Sequence, residues 1–186
     1  MVSPSTSEAK RVSAGAPDAF GLLGLEPCYA IDADTLEKAF FERAKQLHPD
    51  RFAQAPVAER VAALSKSRAL NDAYQLLKKP APRAEYLLAR YGIVIGDNER
   101  IDPALIMELL EEREELAEAR HAGKLVLVEK LQASMKARRK AAFERIGVLF
   151  AAGERGENLA AIKAQLILLR YVERYLEECD SALDED

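Results

Sequence analysis

The residues best suited to chemistry in this chain are His48, Pro49 and Asp50, which follow one another directly. An imidazole beside a carboxylate can act as a general base if a nucleophile lies within hydrogen-bond reach. The segment 48–55 holds no Ser, Thr or Cys. The tripeptide is therefore better suited to contacting another protein than to breaking bonds. The alternative is that Pro49 only ends a helix and Asp50 only caps a turn.

The segments on either side of the tripeptide are predicted to form a helical hairpin. The first helix has Asp32 as its expected N-cap and ends near Leu47, because Pro49 disfavours a helical conformation at His48. Its apolar face is Leu36, Phe40, Ala44 and Leu47. The second helix is expected from about Pro56 to residue 79. Its predicted apolar stripe is Val57, Val61, Leu64, Leu70, Tyr74 and Leu77.

Helices are also predicted in the remainder of the chain, so the expected fold class is all-α. Two short ones flank the hairpin, over 18–23 with Gly24 as its stop and over 82–91 with Gly92 as its C-cap. Three longer ones are expected over 103–121, 124–152 and 158–183, with breaks at Gly123, Gly153 and Gly156. Short links imply antiparallel neighbours, and hence a three-helix bundle.

The chain is therefore expected to have four segments. They are a disordered tail over 1–17, a helical-hairpin domain over 18–92, a linker over 93–102 with Asp102 as the next N-cap, and the bundle over 103–186. The first bundle helix carries six Glu against two Arg, and residues 124–145 carry seven Lys or Arg against two Glu. Opposite charges on neighbouring helices favour their packing. The basic run 136–140 is interpreted as a solvated face beside the acidic helix, with a nucleic-acid helix as the alternative.

Composition excludes several classes of protein. The net charge of −4 over 186 residues argues against general nucleic-acid binding, and no apolar run approaches the length of a membrane span. Cys28 and Cys179 form no CxxC pair, and with two histidines they offer no zinc-ligand spacing. No Gly-rich phosphate cradle exists. We therefore expect no cofactor, no metal, no membrane and no enzymatic activity, in a reducing compartment.

The hairpin with His48-Pro49-Asp50 at its turn, followed by Arg51 and Phe52, resembles the J-domain of DnaJ-type co-chaperones. The resemblance implies a DnaK/HscA-type ATPase chaperone as partner. The residues that it implies for chaperone binding are His48, Pro49, Asp50, Arg51, Lys45 and Arg43. Phe41 and Glu42 occupy positions that are often basic in that family, and the Gly/Phe-rich linker and CxxC repeats of DnaJ are missing. These departures suit a specialist with a dedicated ATPase.

A second candidate site lies on the first bundle helix. Leu105, Leu109 and Leu116 share the expected core face, whereas Ile106, Met107 and Leu110 lie on another arc. That arc is continued by three carboxylates, Glu111, Glu114 and Glu118. It is either an exposed patch for a partner or a surface buried against the first half of the chain.

The runs Leu105 to Leu116 and Arg83 to Leu88 are similar to the HscB family of J-domain co-chaperones in iron–sulfur cluster assembly. Membership implies that the bundle binds an IscU-type scaffold protein. The residues implied are Ile106, Met107, Leu110, Glu111, Glu114, Glu118 and Tyr171. The tetracysteine extension of vertebrate members is lacking, so the bacterial cytoplasm is the expected location and the mitochondrial matrix the alternative. A J-domain protein with another client, and a helical protein with an accidental tripeptide, remain the other hypotheses.

Overall fold

The computed structural model describes residues 18–97, 99 and 103–184. Within these residues the regular elements are helices, so the all-α prediction is confirmed. The predicted tail and the predicted N-cap Asp102 lie outside the described residues. The helices are α1 Ala19–Leu23, α2 Ala33–Leu47, α3 Val57–Lys78, α4 Pro80–Arg90, α5 Pro103–His121, α6 Leu125–Ala151 and α7 Gly156–Asp184, with a 3₁₀ turn at Pro49–Phe52. They divide into two compact units, with the division between Ile93 and Val94.

The hairpin of α2 and α3 forms the centre of the first unit. The Asp32 carboxylate accepts hydrogen bonds from the backbone N–H and the hydroxyl of Thr35, both at 2.9 Å, and so caps α2 as predicted. At the other end, His48 has an extended ψ of 132°, as expected for a residue before proline. Between these ends, the ring of Phe40 stacks on Tyr74 of α3 with centroids 4.4 Å apart. This contact joins the two helices behind the turn.

The apolar stripe predicted for α3 is wrong in its first half. Leu70, Tyr74 and Leu77 are buried as expected, but Val57, Val61 and Leu64 are exposed. The step from Leu64 to Leu70 is six residues, and six residues of α-helix rotate through about 600°. Leu64 therefore points about 120° away from the buried face that holds Leu70. Ala63 occupies the core position instead.

The fourth helix begins two residues earlier than predicted. Pro80 is the first residue of α4, where its missing N–H is tolerated and its fixed φ suits the first turn. The buried Arg83 then donates to the carbonyl oxygen of Leu77 at 2.8 Å, joining the start of α4 to the end of α3. The result is a tight corner that holds α4 against the core of the first unit.

The first helix is joined to α4 through Asp18, its N-cap. The Asp18 carboxylate accepts from the backbone N–H of Gly21 at 3.1 Å, from the Tyr86 hydroxyl at 2.8 Å and from the Arg90 guanidinium at 2.5 Å. Gly24 then ends α1 with a φ of 71°, a conformation that favours glycine. The helix therefore ends at Gly24 as predicted and begins one residue later than predicted, with Asp18 as its cap.

The second unit is a three-helix bundle with α6 and α7 antiparallel. Gln132 of α6 pairs with Asp180 of α7, and Arg139 of α6 pairs with Glu173 of α7. From the first pair to the second, α6 advances seven residues while α7 goes back seven, so the two helices run in opposite directions. Gly123 and Gly153 have φ of 60° and 104° and mark the links, whereas Gly156 is the first residue of α7 and not part of a link. The largest fully buried side chains of this unit are Val128, Ile146, Ile162, Leu166 and Val172.

The predicted charge complementarity of α5 and α6 is present. The guanidinium of Arg138 lies 3.1 Å from a carboxylate oxygen of Glu108 and 3.1 Å from one of Glu112. Arg139, the next residue, pairs with Glu173 of α7 at 3.2 Å. Two residues of the basic run 136–140 are thus used in holding the bundle together.

The two cysteines have opposite environments. Cys28 is exposed and Cys179 is fully buried, and both are free thiols. Burial raises the pKa of the Cys179 thiol to about 11, with Asp180 and Glu178 adding to the effect. No three His, Cys, Asp or Glu of the described residues are grouped so that they could hold a metal ion. Of the helices described, none combines the length and the apolar character needed to cross a membrane.

Candidate functional site

The His-Pro-Asp loop lies at the tip of the α2–α3 hairpin and points its polar groups outward. The side chain of His48 is 60% exposed and that of Asp50 is 90% exposed. Pro49 is the first residue of the 3₁₀ turn, which places Asp50 in the first turn and Arg51 in the last. The backbone thus fixes the tripeptide in a rigid turn while both ionisable side chains remain available to a partner.

One hydrogen bond defines how His48 is presented. The backbone N–H of Asp50 donates to Nδ1 of His48 at 3.3 Å, so the ring caps its own turn. An imidazole nitrogen that accepts carries no proton, and in the neutral ring the proton is then on Nε2. Nε2–H is therefore the donor left for a partner. In the protonated ring Nδ1 would instead face the Asp50 carboxylate, whose Oδ2 lies 3.5 Å away.

Two of the predicted basic residues belong to the loop and one does not. Lys45 is exposed in the last turn of α2, and its carbonyl oxygen accepts from the guanidinium of Arg51 at 3.4 Å. Arg43 extends toward the turn at Gly24, where its Nη2 fills the space that a side chain at that glycine would need. The loop therefore has two adjacent cations, while Arg43 is directed to the turn that ends α1.

The second candidate site is an exposed apolar patch on α5, which we call the α5 patch, made of Ile106, Met107 and Leu110. Their exposed fractions are 40%, 58% and 50%, whereas Leu109 and Leu116 of the same helix are buried. Leu105, predicted for the core, is half-buried. The arc of Ile106, Met107 and Leu110 thus lies on the opposite side of α5 from the residues that α5 buries in the bundle core.

Carboxylates edge the α5 patch as predicted. Glu111, Glu114 and Glu118 are all exposed. Glu112, one residue along, turns inward to Arg138, and burial raises its pKa although Arg138 opposes the effect. Only the outward carboxylates are therefore available to a cation of a partner.

Tyr171 on α7 is 39% exposed and opens onto the seam between α5 and α7. The residues that line this groove are Leu109, Arg113, Tyr171, Arg174, Tyr175 and Glu178. Arg113, three residues after Leu110, donates to Glu178 at 2.6 Å across the seam. The structure thus adds two cations, Arg113 and Arg174, which the sequence prediction missed because a charge on a helix does not by itself indicate a groove.

The sequence prediction also missed a groove beside the His-Pro-Asp loop. Val57, Val61 and Leu64 border a groove that also includes Asp50 and Phe52. The six-residue step from Leu64 to Leu70 was the signal in the sequence that could have separated these residues from the core.

Comparison with known proteins gives a family match for each half of the chain. A DnaJ domain model matches residues 18–86, and a model described as the HSCB C-terminal oligomerisation domain matches residues 101–180. The co-chaperone protein HscB homolog of Ralstonia nicotianae is 35% identical over 170 residues, which cover 89% of this chain and 96% of the relative. This chain belongs to the HscB family. It is therefore a J-domain co-chaperone, a regulator rather than an enzyme.

Other HscB proteins extend the comparison. The homolog of Vibrio vulnificus (strain YJ016) is 45% identical over 106 residues, and this match spans 56% of the chain and 62% of the relative's length. The solved structure of the chaperone HscB from Vibrio cholerae matches with a TM-score of 0.74 and 30% sequence identity. The match covers 91% of this chain and 99% of the Vibrio cholerae chain. The HscB fold therefore extends over both units of the chain.

Proposed function

We propose that this HscB-family co-chaperone stimulates the ATPase of a DnaK/HscA-type chaperone through the His-Pro-Asp loop and delivers an IscU-type iron–sulfur scaffold to it. The observation that carries the proposal is the outward presentation of His48 and Asp50 at the tip of a J-domain hairpin. The bacterial cytoplasm is the location we propose, because relatives in Vibrio and Ralstonia are bacterial.

In this proposal the loop supplies polar contacts of defined direction. The exposed Asp50 carboxylate accepts a charge-assisted hydrogen bond from a cation of the chaperone, such as an arginine. His48 donates through Nε2–H, since Nδ1 is occupied by the Asp50 N–H. The Asp50 carboxylate and His48 Nε2–H project from the same turn. A chaperone surface must therefore place a donor for the carboxylate and an acceptor for Nε2–H at the same time.

The cations next to the loop guide the encounter. Lys45 and Arg51 are exposed and are linked through the Lys45 carbonyl. Surface charges of this kind raise association rates with an acidic partner surface and contribute less to the final affinity. Arg43 is assigned a smaller part, because its guanidinium is directed to the Gly24 turn.

Stimulation requires that the loop bind one state of the chaperone more tightly than another. A ligand with equal affinity for the resting and hydrolysis-ready states would shift neither population. We assign this discrimination to His48 and Asp50, whose hydrogen bonds depend on geometry, rather than to the long-range charges of Lys45 and Arg51.

The α5 patch is the proposed binding site for the scaffold. Its three apolar side chains can be covered by an apolar surface, and Glu111, Glu114 and Glu118 can receive cations at its edge. Methionine at position 107 suits an adaptable contact. Binding the scaffold on the same chain as the loop raises its effective concentration at the chaperone.

The proposal is tested by the steady-state ATPase rate of a purified DnaK/HscA-type chaperone, with and without this protein and a purified IscU-type scaffold. We expect wild type to stimulate the rate and His48→Gln to lose the stimulation while its affinity for the scaffold is unchanged. His121→Gln, at the end of α5, is the matched control and should behave as wild type. Stimulation that survives His48→Gln would show that the loop assignment is wrong.

A further inference from the structure

The side of α6 that faces away from the bundle, which we call the α6 outer face, exposes a large apolar residue at each end. Val126 is 80% exposed and Val148 is 57% exposed. The residues of the α6 outer face are Val126, Lys130, Ala133, Ala137, Ala141, Glu144 and Val148, all of them exposed. They fall within an arc of about 80°, on the opposite side of the helix from the buried Val128, Met135 and Ile146.

The order of residues along the α6 outer face is self-complementary about Ala137. Val126 and Val148 each lie eleven residues from Ala137, on opposite sides of it. Lys130 and Glu144 each lie seven residues from it, again on opposite sides. A two-fold axis at Ala137 that reverses the helix direction therefore brings valine to valine and lysine to glutamate. Each contact then occurs twice, as an interface between two identical surfaces requires.

The charges select a second copy of this chain, in antiparallel orientation, as the occupant of this face. Lys130 and Glu144 are fourteen residues, or about 21 Å, apart along one helix, so they cannot pair within one chain. An antiparallel pair of helices joins them across the two copies, whereas a parallel pair would bring like charges together. The Glu144 side chain is 67% exposed and lies 3.9 Å from Lys140 of its own helix, an exposed contact that contributes little and leaves the carboxylate accessible.

The centre of the α6 outer face offers no steric obstacle to such a pair. Ala133, Ala137 and Ala141 each carry a single methyl group, so two helix axes can approach to about 8 Å there. At this separation the longer side chains of Lys130 and Glu144 reach across to the other helix. The alanines permit the close approach, while the valines and the charges determine which surface fits.

We propose that the α6 outer face is a self-association surface, on which a second copy of this chain packs its own α6 in antiparallel orientation with Ala137 at the two-fold axis. The face includes no residue of the His-Pro-Asp loop or the α5 patch, so the inference does not depend on the proposed function. One helix packed on another buries less than the roughly 1,000 Å² of a stable interface. The dimer is therefore weak, with a dissociation constant on the order of 100 μM.

Sedimentation equilibrium of the purified full chain, from about 10 μM to about 1 mM, measures this association. We expect the weight-average mass to rise from that of a monomer toward that of a dimer across the range. Ala137→Glu should hold the protein at the mass of a monomer, because it places two carboxylates and two longer side chains at the two-fold axis. Ala164→Glu, at an exposed alanine of α7, is the matched control and should associate like wild type.

An exchange of charges tests the register of the two helices. Lys130→Glu alone and Glu144→Lys alone each create two like-charge pairs in the dimer, so each should raise the dissociation constant about tenfold. The double variant, Lys130→Glu with Glu144→Lys, forms both pairs again with reversed polarity and should restore the wild-type dissociation constant. Since the two positions are about 21 Å apart in one chain, such a restoration can arise only between two copies.

Three results would overturn the inference. They are a wild-type protein that remains a monomer at about 1 mM, a dimer that Ala137→Glu leaves intact, and a double variant that associates no more tightly than either single variant. Circular dichroism of Ala137→Glu confirms that its helices are retained, so that a loss of the dimer is not a loss of folding. A wild-type protein that dimerises but fails to stimulate the chaperone would contradict only the proposed function.

Discussion

Asp18 supplies two of the hydrogen bonds that attach the start of α1 to α4. Its carboxylate receives hydrogen bonds from Tyr86 and Arg90, two residues of α4 that lie one turn apart. Burial alone would raise its pKa, but the hydrogen bonds from Tyr86 and Gly21 and the charge of Arg90 outweigh burial and lower it. The ionised form is therefore the one that the folded protein favours.

A pH-dependent contribution to stability follows for Asp18. Because its pKa is lowered by folding, the stabilisation is present above the ordinary value of 3.8 and is lost as the pH falls through the lowered pKa. Asp18→Asn should therefore reduce the free energy of unfolding at neutral pH by up to about 1 kcal/mol, since the ion pair is partly exposed.

Urea unfolding followed by circular dichroism measures this difference at pH 7 and at a pH well below 3.8. The two proteins should converge at acid pH. Asp72→Asn, an exposed carboxyl on α3, is the control. A deficit of Asp18→Asn that persists undiminished in acid would mean that the charge of Asp18 is not the cause.

At the scale of the helix, α2 and α3 show what periodicity can predict. The α2 pattern of Leu36, Phe40 and Ala44 has steps of four, so one face was correctly identified. The α3 pattern mixed two faces, because Leu64 and Leu70 are six residues apart. Hydrophobicity alone does not say which of two apolar faces meets the core.

The α5 patch shows the other limit of sequence reasoning. The arc of Ile106, Met107 and Leu110 could be identified from spacing, but its exposure could not, because exposure depends on residues distant in sequence. The seam beside Tyr171 was beyond prediction for the same reason. Arg113 and Tyr171 come together only through the packing of α5 on α7.

The α5 patch gives a prediction for scaffold binding. Met107→Ala with Leu110→Ala should raise the dissociation constant for a purified IscU-type scaffold about thirtyfold, as expected when about 2 kcal/mol of apolar contact is lost. Isothermal titration measures the affinity. Chaperone stimulation without scaffold should be unaffected, and Val126→Ala is the matched control. Unchanged scaffold affinity would exclude the patch.

At the scale of the whole molecule, the chain combines a DnaJ domain with an HscB C-terminal domain, and each unit has its own core. The candidate sites are divided in the same way, since the His-Pro-Asp loop belongs to the first unit and the α5 patch belongs to the second. Substitutions at one site should therefore leave the other intact, which makes the two proposed activities separable by mutation.

The contrast between the two thiols provides a natural probe of the second unit. With a disulfide-exchange reagent in native buffer, the exposed Cys28 should react at once. Cys179 is fully buried and has a pKa of about 11, so it should react only when α7 opens. The rate of the slow phase, which is the reaction of Cys179, then measures how often the C-terminal bundle opens, and no added label is needed. A stoichiometry of two in the fast phase would contradict the enclosure of Cys179.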